Sequence, residues 1–166
     1  MKSSSKQIAL CGLLAALGIV ILLLAGWIGV GTYIGPMLAG LLLLPVQSKY
    51  STKLALTLWA AMGLLSLFLV TDTEETLIFL AFFGWYPALR HKLENLPAPL
   101  RWPVKELAFN LPMIAVELLA FFVLAPGAMT WIMLVVILAL LNLVFLVYDR
   151  ALPRVEALMM RKLKFL

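Results

Sequence analysis

Gln7–Ser48 reads QIALCGLLAALGIVILLLAGWIGVGTYIGPMLAGLLLLPVQS, 42 consecutive positions without a Lys, Arg, Asp or Glu. One bilayer crossing needs only about 20 apolar residues, so this stretch is long enough for two. The same composition extends outward from it. Of 166 residues, 64% are hydrophobic and 13% charged, and the mean hydropathy is +1.08. A soluble domain carries about 25% charged residues. More than half of an ordinary folded surface is already apolar, so a water-soluble fold of this size could not hide such an excess. The chain reads as an all-α integral membrane protein.

Cys11 is the single cysteine and lies inside the first apolar run, which excludes an internal disulfide framework and a cysteine-rich metal site. His91 alone leaves too few ligands for a histidine-based metal centre. No cofactor or metal is implied. A net charge of +5 would suggest nucleic acid in a soluble protein. Here the placement of the charges has another explanation, and no nucleic-acid partner is inferred.

Six apolar segments follow one another. The first is Ile8–Val30, and Gly29, Gly31 and Thr32 break it from a shorter one, Ile34–Val46. Pro36 and Pro45 bracket that second segment, which predicts a short or irregular element covered by protein. The third, Leu54–Val70, is preceded by Ser51 and Thr52 as candidate N-caps. Asp72 and Glu75 have capping-box spacing ahead of the fourth, Thr76–Leu89. Asn95–Pro99 reads as a loop, the fifth segment as starting near Pro103 and ending at Pro126-Gly127, and the sixth as Ala128–Tyr148.

If these six alternate across a bilayer, every basic residue falls on one side. Lys2 and Lys6 precede the first segment, and Lys49 and Lys53 lie between the second and third. Arg90, Lys92, Arg101 and Lys105 lie in the fourth-to-fifth loop and its flanks, and Arg150, Arg154, Arg161, Lys162 and Lys164 follow the sixth. The other side carries only Asp72, Glu74 and Glu75. The positive-inside rule makes the basic side cytoplasmic, with both termini there, in a bacterial cell membrane. The basic start followed by an apolar run is too long for a signal peptide and has no polar cleavage region, so it is expected to be retained.

Residues 1–148 therefore form a six-helix transmembrane domain, and 149–166 a basic amphipathic tail. Leu152, Val155, Met159, Leu163 and Leu166 recur at helical spacing there, which predicts a helix lying on the anionic lipid of the inner leaflet or docking on a partner.

Glu117 is a carboxylate inside the fifth segment, where a charge costs about 2.5–3.5 kcal/mol on the insertion scale. It is expected to face the bundle or a wet cavity, as a ligand- or proton-binding group, or else as a protonated acid bonded to a neighbour such as Ser66. Asn110 and Asn142 share a depth on sequential helices, which predicts a structural interhelical amide pair. Gly12 and Ala16, extended by Ala9, Ala15 and Gly18, make a small-residue face for close helix packing, inside the bundle or against another subunit. Trp27, Tyr33 and Trp131 belong to the outer aromatic belt and lie where flat rings could stack a planar ligand. At the inner face, Gly84-Trp85-Tyr86-Pro87 marks a helix kink or end. No phosphate-binding loop, paired intramembrane acids or nucleophile–base set is present, so an enzyme or autonomous pump is disfavoured.

The opening Lys6–Leu17, with its small residues, resembles the first helix of substrate-binding (S) components of energy-coupling factor importers. Phe82–Pro87, together with Lys105–Asn110, is similar to an uncharacterised bacterial membrane group with that fold. The resemblance covers nearly the whole chain through its topology. It implies capture of a vitamin-like small nutrient from outside, followed by association with a transmembrane coupling subunit and two cytoplasmic ATPases. It also implies a docking role for Gly12 and Ala16, although a glycine stands where the family's usual motif has its first alanine. Glu117 would engage a cationic or hydrogen-bond-donating ligand group. Trp27, Tyr33, Trp131 and Ser66 would complete the site, with Gly29–Tyr33 as a lid. Two rival expectations are a non-transporting scaffold similar to the rod-shape-determining MreD type, and a proton-coupled small carrier.

Overall fold

Helix is the only regular structure among the residues that the computed structural model describes, 2–28 and 31–163, with side chains over 5–28 and 31–161. Gly29 and Val30 of the expected lid, and Lys164 and Leu166 of the tail, lie outside the described residues, as do the side chains of Lys162 and Leu163. The chain divides into two compact units, Met1–Ala88 and Leu89–Leu166.

Unit one opens with α1 (Lys2–Ala25), followed by α2 (Gly31–Leu41) and α3 (Leu44–Lys49). Gly31, Thr32 and Tyr33, expected as a loop, form the first turn of α2. The second apolar segment is indeed broken. Leu42 and Leu43 donate to Ala39 and Gly40 in tight i→i−3 turns, and Pro45 restarts the helix in the first turn of α3. A proline fits there because its missing N–H has no helical acceptor to lose. Ser51 caps α4 (Thr52–Leu69), its hydroxyl accepting from the Leu54 N–H at 3.1 Å.

Asp72 caps α5 (Thr73–Ile78) by accepting from the Glu75 N–H at 3.1 Å. The reciprocal arm expected of a capping box is not made, because the Glu75 side chain turns inward instead. α5 runs into a π-helical turn, Phe79–Phe83, closed by the Gly84 N–H on the Phe79 carbonyl at 2.8 Å. The Trp85 indole N–H takes the Ala81 carbonyl, also at 2.8 Å. Gly84-Trp85 is thus a kink, after which α6 (Tyr86–Glu94) begins. Leu22, Leu43, Val46, Met62 and Phe79 anchor the core of this unit.

Unit two contains the rest of α6, then α7 (Ala98–Leu119) and α8 (Trp131–Leu163). α7 starts at Ala98 rather than near Pro103. Pro97 holds the extended entry, and Pro103 and Pro112 are accommodated inside the helix. α7 also ends in a π-helical turn, Ala120–Leu124, closed by the Ala125 N–H on the Ala120 carbonyl. α8 is one unbroken helix of 33 residues, about 50 Å long at 1.5 Å per residue. It passes through Tyr148–Asp149 without a break and carries Pro153 inside it, so residues 149–163 of the tail continue the sixth apolar segment rather than starting a new element. In the ring layer of unit two, Phe109 stacks on Phe145 at 4.5 Å, and Trp102 on the same ring at 6.2 Å.

Four helical stretches are long and apolar enough to cross a membrane: Ser5–Ala25, Thr52–Leu69, Ala98–Leu124 and Trp131–Arg161. The second and fourth segments of the sequence are instead built from short pieces. The exterior is oily, with Phe68 87% and Ile132 77% exposed. So many exposed large apolar side chains fit a lipid solvent rather than water.

Candidate functional site

Glu117 has no exposed surface, so it faces protein and not lipid. It sits three residues before the π-helical turn that ends α7, a type of irregularity often found at functional positions. Lys105 lies 12 residues earlier on the same helix, about 18 Å below at 1.5 Å per residue. Ser66, its expected partner, donates to the Gly63 carbonyl of its own helix at 2.9 Å. Trp131 packs its indole on Phe121 at 4.5 Å and lies 5.7 Å from Phe122. Of the expected site residues, Trp27, Tyr33 and Ser66 belong to unit one, and Glu117 and Trp131 to unit two.

Asn110 and Asn142 meet as expected. Each amide donates to the other's carbonyl at 2.9 Å, and each also donates to a backbone carbonyl one turn back, Glu106 and Leu138 respectively. The reciprocal pairing explains two amides at one depth.

The expected small-residue face of α1 divides in two. Gly18 is buried, and a β-carbon there would overlap the end of Met62 on α4, while Ala15 packs at the edge of the core. Ala9, Gly12 and Ala16 are exposed, and a β-carbon on Gly12 would meet nothing within 4 Å. Farther along, Ile21, Leu24 and Ala25 of α1 line an apolar cavity of about 260 Å³ together with Ile28, Gly31, Ile34, Gly35 and Leu38. Trp27, 83% exposed, and Tyr33 stand beside it in sequence but are not part of its lining.

In unit one, the first turn of α2 is tied by hydrogen bonds to the acidic start of α5. The Thr32 hydroxyl donates to Asp72 Oδ2 at 2.7 Å, and the Tyr33 hydroxyl to Glu74 Oε1 at 3.3 Å. Burial pushes the Glu74 carboxyl up from its ordinary range, Asp72 adds to this, and the Tyr33 hydrogen bond opposes it. Glu75 is fully buried, and neither of its oxygens has a hydrogen-bond partner among the described residues. Desolvation, then the nearby Asp72 charge, raise its pKa to about 8.

Unit two holds a second cluster, which pairs basic residues of the positive-inside pattern with Glu94 and Asp149. Lys105, 2% exposed, bonds Asp149 Oδ2 at 2.9 Å and also pairs with Glu94. Arg90 bridges the same two acids at 2.8 Å each, and Arg101 adds a 3.5 Å contact to Glu94. Three bases and two acids join α6, α7 and α8. Sequence spacing could show only the Arg90–Glu94 pair at i, i+4, because the other partners lie 7 to 59 positions apart.

A comparison with protein-family models, curated proteins and solved structures finds no match for this chain. Among the described residues, no group of three or more His, Cys, Asp or Glu side chains could hold a metal ion.

Proposed function

We propose that the chain is the substrate-binding membrane subunit of an ATP-driven importer, capturing a small nutrient outside and docking on a coupling subunit through α1. The carrying observation is the exposed Ala9, Gly12 and Ala16 on α1, with open space above Gly12. A small-residue face is a close-approach surface for another helix, and this one has been left free of the chain's own core.

Six crossings with both termini in the cytoplasm fit the helical pieces and the charges. Residues 31–49 of α2 and α3, and 76–94 of α5 through α6, each total about 28 Å if laid end to end. Both match the roughly 30 Å of a bilayer core, despite their breaks. If only the four long helices crossed, Lys49 and Lys53 would fall opposite Lys2 and Lys6, against the positive-inside rule. The ligand would enter at the end bearing Asp72, Glu74 and Glu75. In a bacterial cell membrane, the α1–α2 cavity would take an apolar part, with Trp27, Tyr33 and Ser66 the candidate binding groups of unit one and Glu117 and Trp131 those of unit two. ATP would be hydrolysed by two partner subunits on the cytoplasmic side.

A scaffold reading draws on α8, whose continuation past Tyr148 carries Arg150, Arg154 and Arg161 on a long rod. Affinity purification from native membranes separates the two. A co-purifying coupling subunit and ATPases, lost in Gly12→Leu, support import; recovery of cell-wall machinery alone overturns it. Glu117→Gln should weaken stabilisation by a bound vitamin-like ligand in thermal-shift screens if that carboxyl meets ligand, and leave partner recovery unchanged.

A further inference from the structure

The carboxyl of Glu75 lies against two glycines, Gly26 in the turn after α1 and Gly35 on α2. A β-carbon on Gly35 would overlap its Oε1 and the methyl of Ala25, and one on Gly26 would lie 3.0 Å from its Oε2 and 3.4 Å from Asp72 Cβ. The residue is 0% exposed, and neither oxygen has a hydrogen-bond partner among the described residues. On either side of it, Asp72 and Glu74 are tied to the first turn of α2 by the hydroxyls of Thr32 and Tyr33. An ionised carboxylate in such a place would lack both donors and water, which is among the costliest burials a protein can make. Some cation must neutralise it. Calcium or magnesium would need several oxygen ligands at about 2.0–2.6 Å and room for them, and the two glycine backbones close that space. An organic ammonium group is larger still. A proton needs no room.

We propose that Glu75 is a proton-binding site, and that loss of its proton releases the seam where α5 packs against the end of α1 and the start of α2. In this step the Glu75 O–H bond breaks and the proton passes to solvent water. The carboxylate left behind has no donor and stands beside the Asp72 carboxylate, so repulsion and the demand for hydration both drive it out from between Gly26 and Gly35. No neighbouring charge compensates. Leu22–Ile28 of α1, Ser66–Val70 at the end of α4 and the Phe79–Phe83 turn contain no ionisable side chain, and α2 contributes only Tyr33. The remaining ionisable groups at the seam are Asp72 and Glu74, both acidic. The site is independent of which ligand, if any, the chain carries.

The test uses the purified full chain in lipid nanodiscs, followed by infrared difference spectroscopy and amide hydrogen exchange as pH rises through neutrality. The expected result is loss of a protonated-carboxyl band with a midpoint well above the ordinary carboxyl range. That loss should be absent in Glu75→Gln and retained in Glu117→Gln. Asp72→Asn keeps an acceptor for Thr32 and should move the midpoint to lower pH, which gives a second reading should the Glu75 variant not fold. Exchange of the α2 and α5 first-turn amides, corrected for intrinsic rates, should rise across the same midpoint in the wild type and stay flat in Glu75→Gln. A spectrum with no Glu75-dependent band, or a midpoint that Asp72→Asn leaves unmoved, overturns the proton site. A Glu75-dependent band without a change in exchange overturns the release of the seam.

Discussion

Lys105 Nζ lies 2.9 Å from Asp149 Oδ2 and 3.1 Å from Oδ1, with 2% and 6% of the two side chains exposed. The pair joins α7 to α8, and through Arg90 and Glu94 it also engages α6. Removing one member of a buried ion pair costs about 3–5 kcal/mol, because the other charge is stranded. Glu94 still reaches Lys105, so Asp149→Ala should fall towards the lower end of that range. Thermal unfolding in detergent checks it: Asp149→Ala should lower the midpoint more than Glu94→Ala, whose carboxylate is 29% exposed. The double change Lys105→Met with Asp149→Leu should recover most of the loss. An unchanged midpoint in Asp149→Ala would show that the network holds nothing together.

The amide pair on α7 and α8 carries a smaller and separable energy. Interhelical hydrogen bonds in membranes average about 0.6 kcal/mol and reach about 1.7. A cycle of Asn110→Leu, Asn142→Leu and the double variant should give a coupling within that span. The two bonds at 2.9 Å place it in the upper half. Equal and additive losses would mean that the bonds to the Glu106 and Leu138 carbonyls carry the whole effect.

Gly12 and Gly18 look alike in sequence and differ in what surrounds them. Gly18→Leu must displace Met62, which is fully buried, and overpacking of this kind costs about 1–3 kcal/mol. Gly12→Leu meets open space and should change stability by no more than about 0.5 kcal/mol. Melting curves of the two purified variants compare them directly. A large loss in Gly12→Leu would mean that the isolated chain packs something on that face.

What the sequence could show follows from the range of its signals. Long uncharged runs, proline positions and caps act over a few residues, so α1, α4, α8 as far as Tyr148, the irregularity near Pro45 and the Ser51 and Asp72 caps were legible, whereas the continuation of α8 past Tyr148 was not. Glu117 and the Asn110–Asn142 pair were legible for another reason: polar side chains in an oily helix are costly and stand out. The Lys105–Asp149 pair was hidden because 44 positions separate its members, and basic residues near a helix end already had an explanation in topology. Glu75 was hidden by its own neighbours. Next to Asp72 and Glu74 it looked like one more solvated acid at a cap, and only the converging backbones at Gly26 and Gly35 remove it from water. The π-helical turns at Phe79–Phe83 and Ala120–Leu124 have no local sequence mark.

Stability against pH provides a check on Glu75 that does not depend on spectroscopy. Its carboxyl ionises near its ordinary value of 4.5 in the unfolded chain and near 8 in the folded one. Between those values the folded state holds a proton that the unfolded state has released. Folding is therefore favoured at the acid end of the window, and this advantage is lost as pH rises through it. One proton of difference gives a slope of at most about 1.4 kcal/mol per pH unit, flattening above the folded value. Glu74, also raised, adds to the same slope. Unfolding midpoints of the wild type should fall as pH rises across the neutral range, and Glu75→Gln should remove most of that fall. The variant should match the wild type at the acid end and exceed it at the alkaline end. A wild-type midpoint that stays level or climbs over this window would mean that the carboxyl ionises in the fold as readily as it does in water.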